Sequence, residues 1–208
     1  PSPYLPAVTL DDAATHEVEA RHAQILRCGT HVSTHLDAPY HAIPDGKKID
    51  ELPLEHLCGN AVKLRIPDGR TKDSPLDAAD FANFAEKETV EKLVIETGWA
   101  KATWGTVDYF TEGPNITREA ARELASWPKL HLIAMDFPNI DSKAETVMGK
   151  PNPNHVILLG REILLLENLV RLEECPDHFF LSSPPPKLVG GDGCPCRAVA
   201  MFPSPFPG

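Results

Sequence analysis

The sequence predicts one α/β domain with a mixed sheet or a barrel-like core and few helices. A length of 208 residues suits a single domain, which is expected to span residues 1–208. Hydrophobic residues make up 42% of the chain and charged residues 24%, the balance of a soluble globular protein. Short apolar stretches typical of strands outnumber the helical patterns, which fall between strands. These three observations indicate a mixed α/β fold.

The predicted strands are short and end at turn residues. Residues 1–10 are proline-rich and extended, and residues 29–50 form a structured loop with a Pro44-Asp45-Gly46 turn. His16–Leu26 partly alternates polar and apolar side chains, which predicts a strand with one wet face. Further strands are predicted at Ala61–Ile66, Lys92–Glu96, Leu130–Met135, Glu162–Leu166, Phe179–Leu181 and Ala198–Phe202.

Capping residues predict two helices. Ser74 precedes Pro75, and a proline at the first helical position predicts a helix that continues to about Glu86. Thr117 predicts the start of a second helix, which ends near Ser126. The stretch between residues 97 and 114 is predicted to be irregular.

Composition excludes several classes of function. The formal net charge is −10, and such an acidic surface repels phosphate backbones, so no nucleic-acid partner is expected. No apolar run approaches the roughly 18 residues of a membrane span, so no membrane partner is expected. Five cysteines without a CxxC pair, and no secretory apolar stretch, predict reduced thiols and a cytoplasmic location. The sequence contains no nucleophile elbow, P-loop or dinucleotide-binding motif.

Four side chains that can bind a metal lie within eleven residues: His31, His35, Asp37 and His41. In an extended segment the first three would share one face, because strand side chains alternate with a period of two. Two imidazoles and a carboxylate on one face suit Zn²⁺ or Mn²⁺. Pro39 turns the chain, so that His41 can fold back over the ion. The alternative is a polar strand end with solvated histidines.

Other polar and aromatic residues admit two interpretations each. Glu167 closes the apolar run at residues 163–166, where a carboxylate is costly unless it is paired or bound to a metal; the alternative is a surface glutamate that caps a short helix. Asp136 and Asp141 either orient metal ligands or serve turn chemistry. Trp99 and Trp104, with Tyr109 and Phe110, either line an apolar substrate wall or pack in the core.

Segments along nearly the whole chain match one known family in order. The histidine segment has the pattern HxxTHxDxPxH and is followed by Asp45-Gly46-Lys47-Lys48. The later matching segments are Thr97-Gly98-Trp99, residues 136–141, His155 to Asn168, Gly190-Gly191-Asp192-Gly193 and Arg197-Ala198-Val199. On these segments the chain resembles the cyclase family of metal-dependent hydrolases, which includes bacterial kynurenine formamidase and isatin hydrolase. The resemblance implies a swivelling β/β/α-type fold, a small-molecule substrate and a homodimer or homotetramer.

The resemblance also implies roles for single residues. His41 is the expected catalytic proton shuttle. Ser33 stands where the family has a glycine, and Tyr4 is the remnant of an aromatic-Pro-Gly turn; both, with Trp99, are expected to contact the substrate. One or two divalent ions, Zn²⁺ or Mn²⁺, are expected, with the two carboxylates bridging when two are present. The implied metal ligands are His31, His35, Asp37, His155 and Glu167.

Together these features predict a metal-dependent hydrolase of non-peptide amides. The substrate is an aryl formamide such as N-formylkynurenine, or a cyclic amide or imide. The ion would lower the pKa of a bound water and polarise the substrate carbonyl, and His41 would carry the proton to the leaving group. The same attack opens lactones, so a lactone hydrolase is the first alternative. A non-catalytic metal-binding protein that kept the fold is the second, and Ser33 favours it.

Overall fold

A computed structural model describes residues 6–67, 69–144, 146 and 149–203. The strands in this part of the chain form one hairpin and one larger sheet. The hairpin consists of β1 (Thr9–Ala14) and β2 (Ala23–Arg27). The strands of the larger sheet are β3 (His35–Asp37), β4 (Cys58–Arg65), β5 (Lys92–Glu96), β6 (Leu132–Met135), β7 (Leu164–Glu167), β8 (His178–Ser182), β9 (Gly193–Pro195) and β10 (Val199–Met201).

The larger sheet is mixed and curls into a half-barrel. Its eight strands have the order β10-β8-β4-β5-β6-β7-β3-β9. The four central strands, β4 to β7, run parallel. On one side β8 and β10 pair antiparallel, and on the other side β3 and β9 do the same. The predicted fold class, a mixed sheet with a barrel-like core and few helices, is confirmed.

The helices that connect these strands are short. None of those in the described part of the chain is long and apolar enough to cross a bilayer. Single 3₁₀ turns lie at Pro39–His41, Ile49–Glu51 and Leu172–Glu174. The α-helices are α1 (His16–Glu19), α2 (Leu54–Leu57), α3 (Ala78–Ala82), α4 (Trp99–Thr103), α5 (Val107–Thr111), α6 (Arg118–Ala125) and α7 (Pro153–Leu159).

Alternating side chains of the parallel strands build two apolar layers. On β5, Leu93 and Ile95 pack in one layer with residues of α3, α6 and α7, and Val94 belongs to the other. On β7, Leu165 joins the first layer and Leu166 the second. Every residue of β5, β6 and β7 is buried, as expected for parallel strands that are covered on both faces.

Two predicted elements show how local signals succeed and fail. The helix predicted from Thr117 is confirmed, because the Thr117 side chain accepts a hydrogen bond from the first turn of α6. The helix predicted from Pro75 begins three residues later. Asp77, and not Ser74, caps α3, and Leu76 is held in a β-bridge with Ile116 instead of entering the helix.

Other segments differ more strongly from the prediction. The stretch between residues 97 and 114, predicted to be irregular, contains α4 and α5. The segment His16–Leu26, predicted as one strand, divides into α1 and β2. Every residue of β2 is exposed, so the alternation there does not mark a buried face.

Candidate active site

Strand register places part of the histidine motif opposite a carboxylate. β3 pairs with β7 so that His35 lies opposite Glu167 and Asp37 opposite Leu165. Directly paired side chains share a face of the sheet, and so do residues two apart on one strand. His35, Asp37 and Glu167 therefore lie on the same face as Leu165, the face that α7 covers. All three are buried.

His31 reaches this place from a turn. The condition of an extended segment is not met at His31, because β3 begins only at His35 and Ser33 has a left-handed backbone with φ 58°. The turn nevertheless places His31 Nδ1 2.7 Å from Asp37 Oδ1. A left-handed backbone favours glycine, so a serine at this position is strained.

A third imidazole comes from α7. His155 is buried, and its Nε2 lies 3.5 Å from Asp37 Oδ2 and 3.9 Å from Glu167 Oε1. Its Nδ1 lies 2.6 Å from Asp141 Oδ2, and the Asp141 carboxylate also accepts the backbone N–H groups of Asn154 and His155. Asp141 therefore fixes both the start of α7 and the orientation of the His155 ring, the first of its two interpretations.

Asp136 has the other role, turn chemistry. Its carboxylate accepts the backbone N–H groups of Thr97 and Gly98 and the hydroxyl of Thr97. These bonds hold the turn that follows β5. Asp136 and Asp141 are thus two buried carboxylates with similar numbers of donors, and the described structure shows an imidazole bonded only to the second.

The outer ring nitrogen of each of the three imidazoles lies beside an acceptor. Asp141 supplies it for His155, as described above. His35 Nδ1 lies 2.9 Å from the Ser33 carbonyl oxygen, and His31 Nε2 lies 2.9 Å from Asp192 Oδ2. A proton on the outer nitrogen leaves the inner nitrogen as an electron-pair donor. Metal-binding histidines are commonly oriented in this way.

The inner side of the cluster is rich in acceptors. The inner imidazole nitrogens lie 2.7–3.9 Å from carboxylate oxygens of Asp37 and Glu167. Asp37 Oδ2 and Glu167 Oε1 are buried and have no hydrogen-bond partner within the described residues. A buried, unpartnered polar atom costs about 1–3 kcal/mol, and more when it is charged. Imidazole nitrogens and carboxylates are ligands of Zn²⁺ and Mn²⁺, so this donor set fits a divalent cation.

The charge of the two carboxylates shifts the pKa values of the cluster. Burial opposes a charge on His35, but Asp37 outweighs it and raises the pKa of His35 to about 9. Burial also opposes a charge on His155, but its hydrogen bond to Asp141 and the nearby carboxylate of Asp37 raise its pKa to about 10. Burial and the nearby Asp37 raise the pKa of Glu167 to about 7. Without a metal ion, protons therefore compensate the carboxylates.

His41 stands at the edge of this cluster. It ends the 3₁₀ turn that begins at Pro39, and its ring centroid lies 3.9 Å from that of His31 and 5.4 Å from that of His155. Burial lowers the pKa of His41 below 6.5. The imidazole is therefore mostly neutral at pH 7 and able to accept a proton.

A cavity of about 620 Å³ opens onto the cluster. All six predicted ligand and catalytic residues line it. Apolar groups cover another part of the wall, and amide and hydroxyl side chains stand among them. The apolar residues include Phe110, Pro114 and Pro138, and the polar ones include Asn115, Asn139, Asn168 and Thr111.

The three residues expected to contact the substrate have different positions. Ser33 lines the cavity. Trp99 does not belong to its described wall, because the indole packs against the core and its Nε1 donates to the Tyr109 carbonyl oxygen at 3.0 Å. The second interpretation of Trp99, core packing, agrees with this position. Tyr4 lies outside the described residues.

Asp192 and Asn168 were not predicted as members of the site. Asn168 Nδ2 lies 3.4 Å from His35 Nδ1, and its Oδ1 accepts a hydrogen bond from the Tyr109 hydroxyl. Phe110 lines the cavity, so the substrate-wall interpretation agrees with its position. Asp192 had one signal, since it lies among glycines in a segment that matches the family.

Comparisons with known proteins were consistent with one another. The family model named cyclase matches residues 3–142. Kynurenine formamidase of Salinibacter ruber is 30% identical over 178 residues, which cover 84% of this chain and 77% of the relative.

Two solved structures resemble the whole described fold. Isatin hydrolase A from Labrenzia aggregata, bound to benzyl benzoate, has a TM-score of 0.78 and 24% identity. The match covers 95% of this chain and 84% of the isatin hydrolase chain. A potential metal-dependent hydrolase with cyclase activity has a TM-score of 0.70 and 21% identity. The match covers 92% of this chain and 85% of that hydrolase. At these identities the two likenesses show the fold.

Proposed function

The chain belongs to the cyclase family, and from this membership we propose that it is a metal-dependent hydrolase of non-peptide amides. One observation carries the proposal: three oriented imidazoles surround two buried carboxylates at the wall of a cavity that His41 also lines. Each carboxylate has an oxygen without a hydrogen-bond partner among the described residues. The names of the relatives, kynurenine formamidase and isatin hydrolase, support an aryl formamide or a cyclic amide as substrate.

The proposed metal ligands are His31, His35, Asp37, His155 and Glu167. When bound, Zn²⁺ or Mn²⁺ would lower the pKa of water and polarise a carbonyl. The chain provides the orientation of these ligands, through Asp141, the Ser33 carbonyl and Asp192. Two groups of described side chains have ligand atoms close enough to share an ion: His35 with Asp37 and Glu167, and His31 with Asp37 and His41. The first group consists only of proposed ligands and supports one ion, whereas the second contains the proposed proton shuttle.

His41 would move the proton in the proposed reaction. Its Nδ1 lies 3.4 Å from Asp192 Oδ2, which leaves Nε2 to accept a proton from the attacking water. The same nitrogen would then give the proton to the leaving nitrogen of the amide. The apolar wall at Phe110, Pro114 and Pro138 would hold the body of the substrate and exclude water from it.

A substrate panel tests the proposal. Purified protein is stripped with a chelator, dialysed, reloaded with Zn²⁺ or Mn²⁺, and assayed on N-formylkynurenine, isatin, a cyclic imide and a lactone. Amide hydrolysis that needs the added ion would support the proposal. Turnover of the lactone alone would favour the lactone hydrolase. A reloaded protein that binds the ion and hydrolyses no member of the panel would favour the non-catalytic metal-binding protein.

We also propose that the chain acts as a homodimer or homotetramer, as its family resemblance implies. The β1–β2 hairpin supports this: Leu10 and Leu26 pair across it with exposed fractions of 59% and 60%. An isolated hairpin is at best marginally stable in water, so a second copy is the expected cover. Light scattering tests it. The proposal expects an oligomer that Leu10→Ser with Leu26→Ser dissociates, and a monomeric native chain would contradict it.

A further inference from the structure

We propose that Asp192 is a positioning residue that holds His31 and His41 in one fixed relative orientation. One oxygen serves both rings: Asp192 Oδ2 lies 2.9 Å from His31 Nε2 and 3.4 Å from His41 Nδ1. The two imidazoles lie against each other with centroids 3.9 Å apart and an angle of 41° between their planes. The inference rests on the proposed function, in which one ring binds the ion and the other moves the proton.

These two rings need such a support more than the other members of the cluster do. His31 lies in a turn and His41 in a 3₁₀ turn of three residues, so neither is fixed by a regular element. Their side chains are 20% and 26% exposed, whereas those of His35 and His155 are 3% and 4% exposed. Tight packing limits the rotamers of His35 and His155, whereas the partly exposed rings of the first two histidines need a hydrogen bond to limit theirs.

The loop that carries Asp192 is itself held in place. The Asp192 carbonyl oxygen accepts the N–H of Ala38 at 3.0 Å, and the Gly191 carbonyl oxygen accepts the N–H of Ile49 at 2.9 Å. Asp50 Oδ1 accepts the N–H of Gly190 at 2.9 Å. These bonds tie the loop to the segment that contains His41, so the carboxylate is anchored independently of the imidazoles.

Gly193 shows how closely the same loop approaches His31. A Cβ at this position would lie 2.6 Å from His31 Cε1 and 3.0 Å from the Leu36 carbonyl oxygen. Any side chain would therefore displace the ring or the backbone of β3. The absence of a side chain at residue 193 lets the loop pack directly on the ring whose nitrogen Asp192 holds.

His41 lines two cavities, the one at the cluster and a smaller cleft. His41 and Asp192 both line the smaller cleft, of about 450 Å³, together with Tyr40 and Gly190. Because His41 borders open space in both cavities, packing alone does not fix its ring beside the cluster. A displacement of about 1 Å in a catalytic group can cost a factor of roughly 10² in rate. Fixing His41 is thus a kinetic requirement of the proposed reaction.

Three variants test this inference on the metal-loaded protein: Asp192→Ala, Asp192→Asn and, as a matched control, Asp50→Ala, which loosens the same loop without touching an imidazole. Asp192→Ala should lower kcat by about 10–100-fold with KM within about twofold, the usual loss for a partner that orients a functional histidine. Asp192→Asn keeps one acceptor oxygen and should lie between Asp192→Ala and the native chain. Asp50→Ala removes the side-chain bond to Gly190 but keeps the two backbone bonds of the loop, so kcat should stay within about twofold of the native value.

A second readout does not depend on turnover. In zinc-loaded protein with ¹⁵N-labelled histidine, the native His41 ring should give the signals of a single neutral tautomer, and Asp192→Ala should give averaged signals. His41→Ala identifies these signals. If the native chain hydrolyses nothing, the proposed function fails while the ring signals still test the inference. Native-like ring signals in Asp192→Ala, or equal losses of kcat in Asp192→Ala and Asp50→Ala, would overturn it.

Discussion

Replacing Asp141 by asparagine should weaken metal binding although none of the proposed metal ligands is replaced. The carboxylate accepts three donors: the N–H groups of Asn154 and His155 at 2.8 and 3.2 Å, and His155 Nδ1 at 2.6 Å. An amide keeps one acceptor oxygen and brings an NH₂ group in place of the other. If the oxygen stays with the N–H of Asn154, the NH₂ group takes the place of Oδ2 and faces His155 Nδ1. The proton of the ring is then favoured on Nε2, the nitrogen that the ion needs.

The magnitude follows from the loss of this orientation. Removing the outer partner of a metal-binding histidine costs roughly 10–100-fold in metal affinity, which corresponds to about 1.4–2.7 kcal/mol. Competition with a coloured chelator of known affinity measures this change directly. The expected result for Asp141→Asn is a dissociation constant raised within this range for Zn²⁺ and for Mn²⁺.

Asp136→Asn is the matched control. Asp136 is buried and also accepts three donors, but those donors belong to Thr97 and Gly98. This variant should lose folding stability and keep the metal affinity within about twofold, as expected for residues that share no partner. Equal effects of the two variants on affinity would refute the reasoning, because the loss would then come from general destabilisation and not from the orientation of His155.

Further predictions concern the catalytic histidine, pH and the strained turn. His41→Ala should lower kcat by roughly 10²–10⁴ with an unchanged number of bound ions; parallel loss of ions and activity would make His41 a ligand. Without metal the pKa values of His35 and His155 are about 9 and about 10, and the ion must displace these protons. Affinity should therefore rise between about pH 6 and pH 8, by up to about tenfold per unit for each proton released, and calorimetry in buffers of different ionisation enthalpy counts these protons. An affinity independent of pH would contradict displacement. Ser33→Gly should stabilise the fold by about 0.5–1 kcal/mol in denaturant melts, because it relieves a φ of 58°. It should also raise kcat/KM for bulkier amides, since Ser33 lines the cavity; unchanged profiles across a size series would place residue 33 away from the substrate.

Periodicity explains which parts of the site could be predicted from sequence. His35 and Asp37 lie on a strand, where a spacing of two fixes a common face, and Glu167 ends a buried strand whose composition is unmistakable. The pattern of apolar residues also indicates the fold class, since each of β5 to β7 contains a run of three or four apolar residues. In a regular element, the spacing of two residues in the sequence determines whether their side chains share a face.

In turns no such spacing rule applies, and the parts of the site that the sequence did not predict lie there. The shared face of an extended segment would not place His31, because the backbone at Ser33 is left-handed, a conformation that sequence does not reveal for serine. The contact between His31 and Asp192 joins residues 161 positions apart, and no local spacing predicts it. Trp99 looked like a substrate wall because aromatic residues suit both pockets and cores, and only the fold separates the two.

The central claim is that the cluster of three imidazoles and two carboxylates binds a divalent ion. Anomalous diffraction from crystals grown with Mn²⁺ or Zn²⁺, recorded at the absorption edge of the metal, tests it most directly. The account predicts an anomalous peak about 2.0–2.3 Å from ligand atoms of His35, Asp37 and Glu167, with the inner nitrogens of His31 and His155 completing one or two sites. A metal-saturated crystal in which every ion lies more than about 4 Å from these side chains would contradict it.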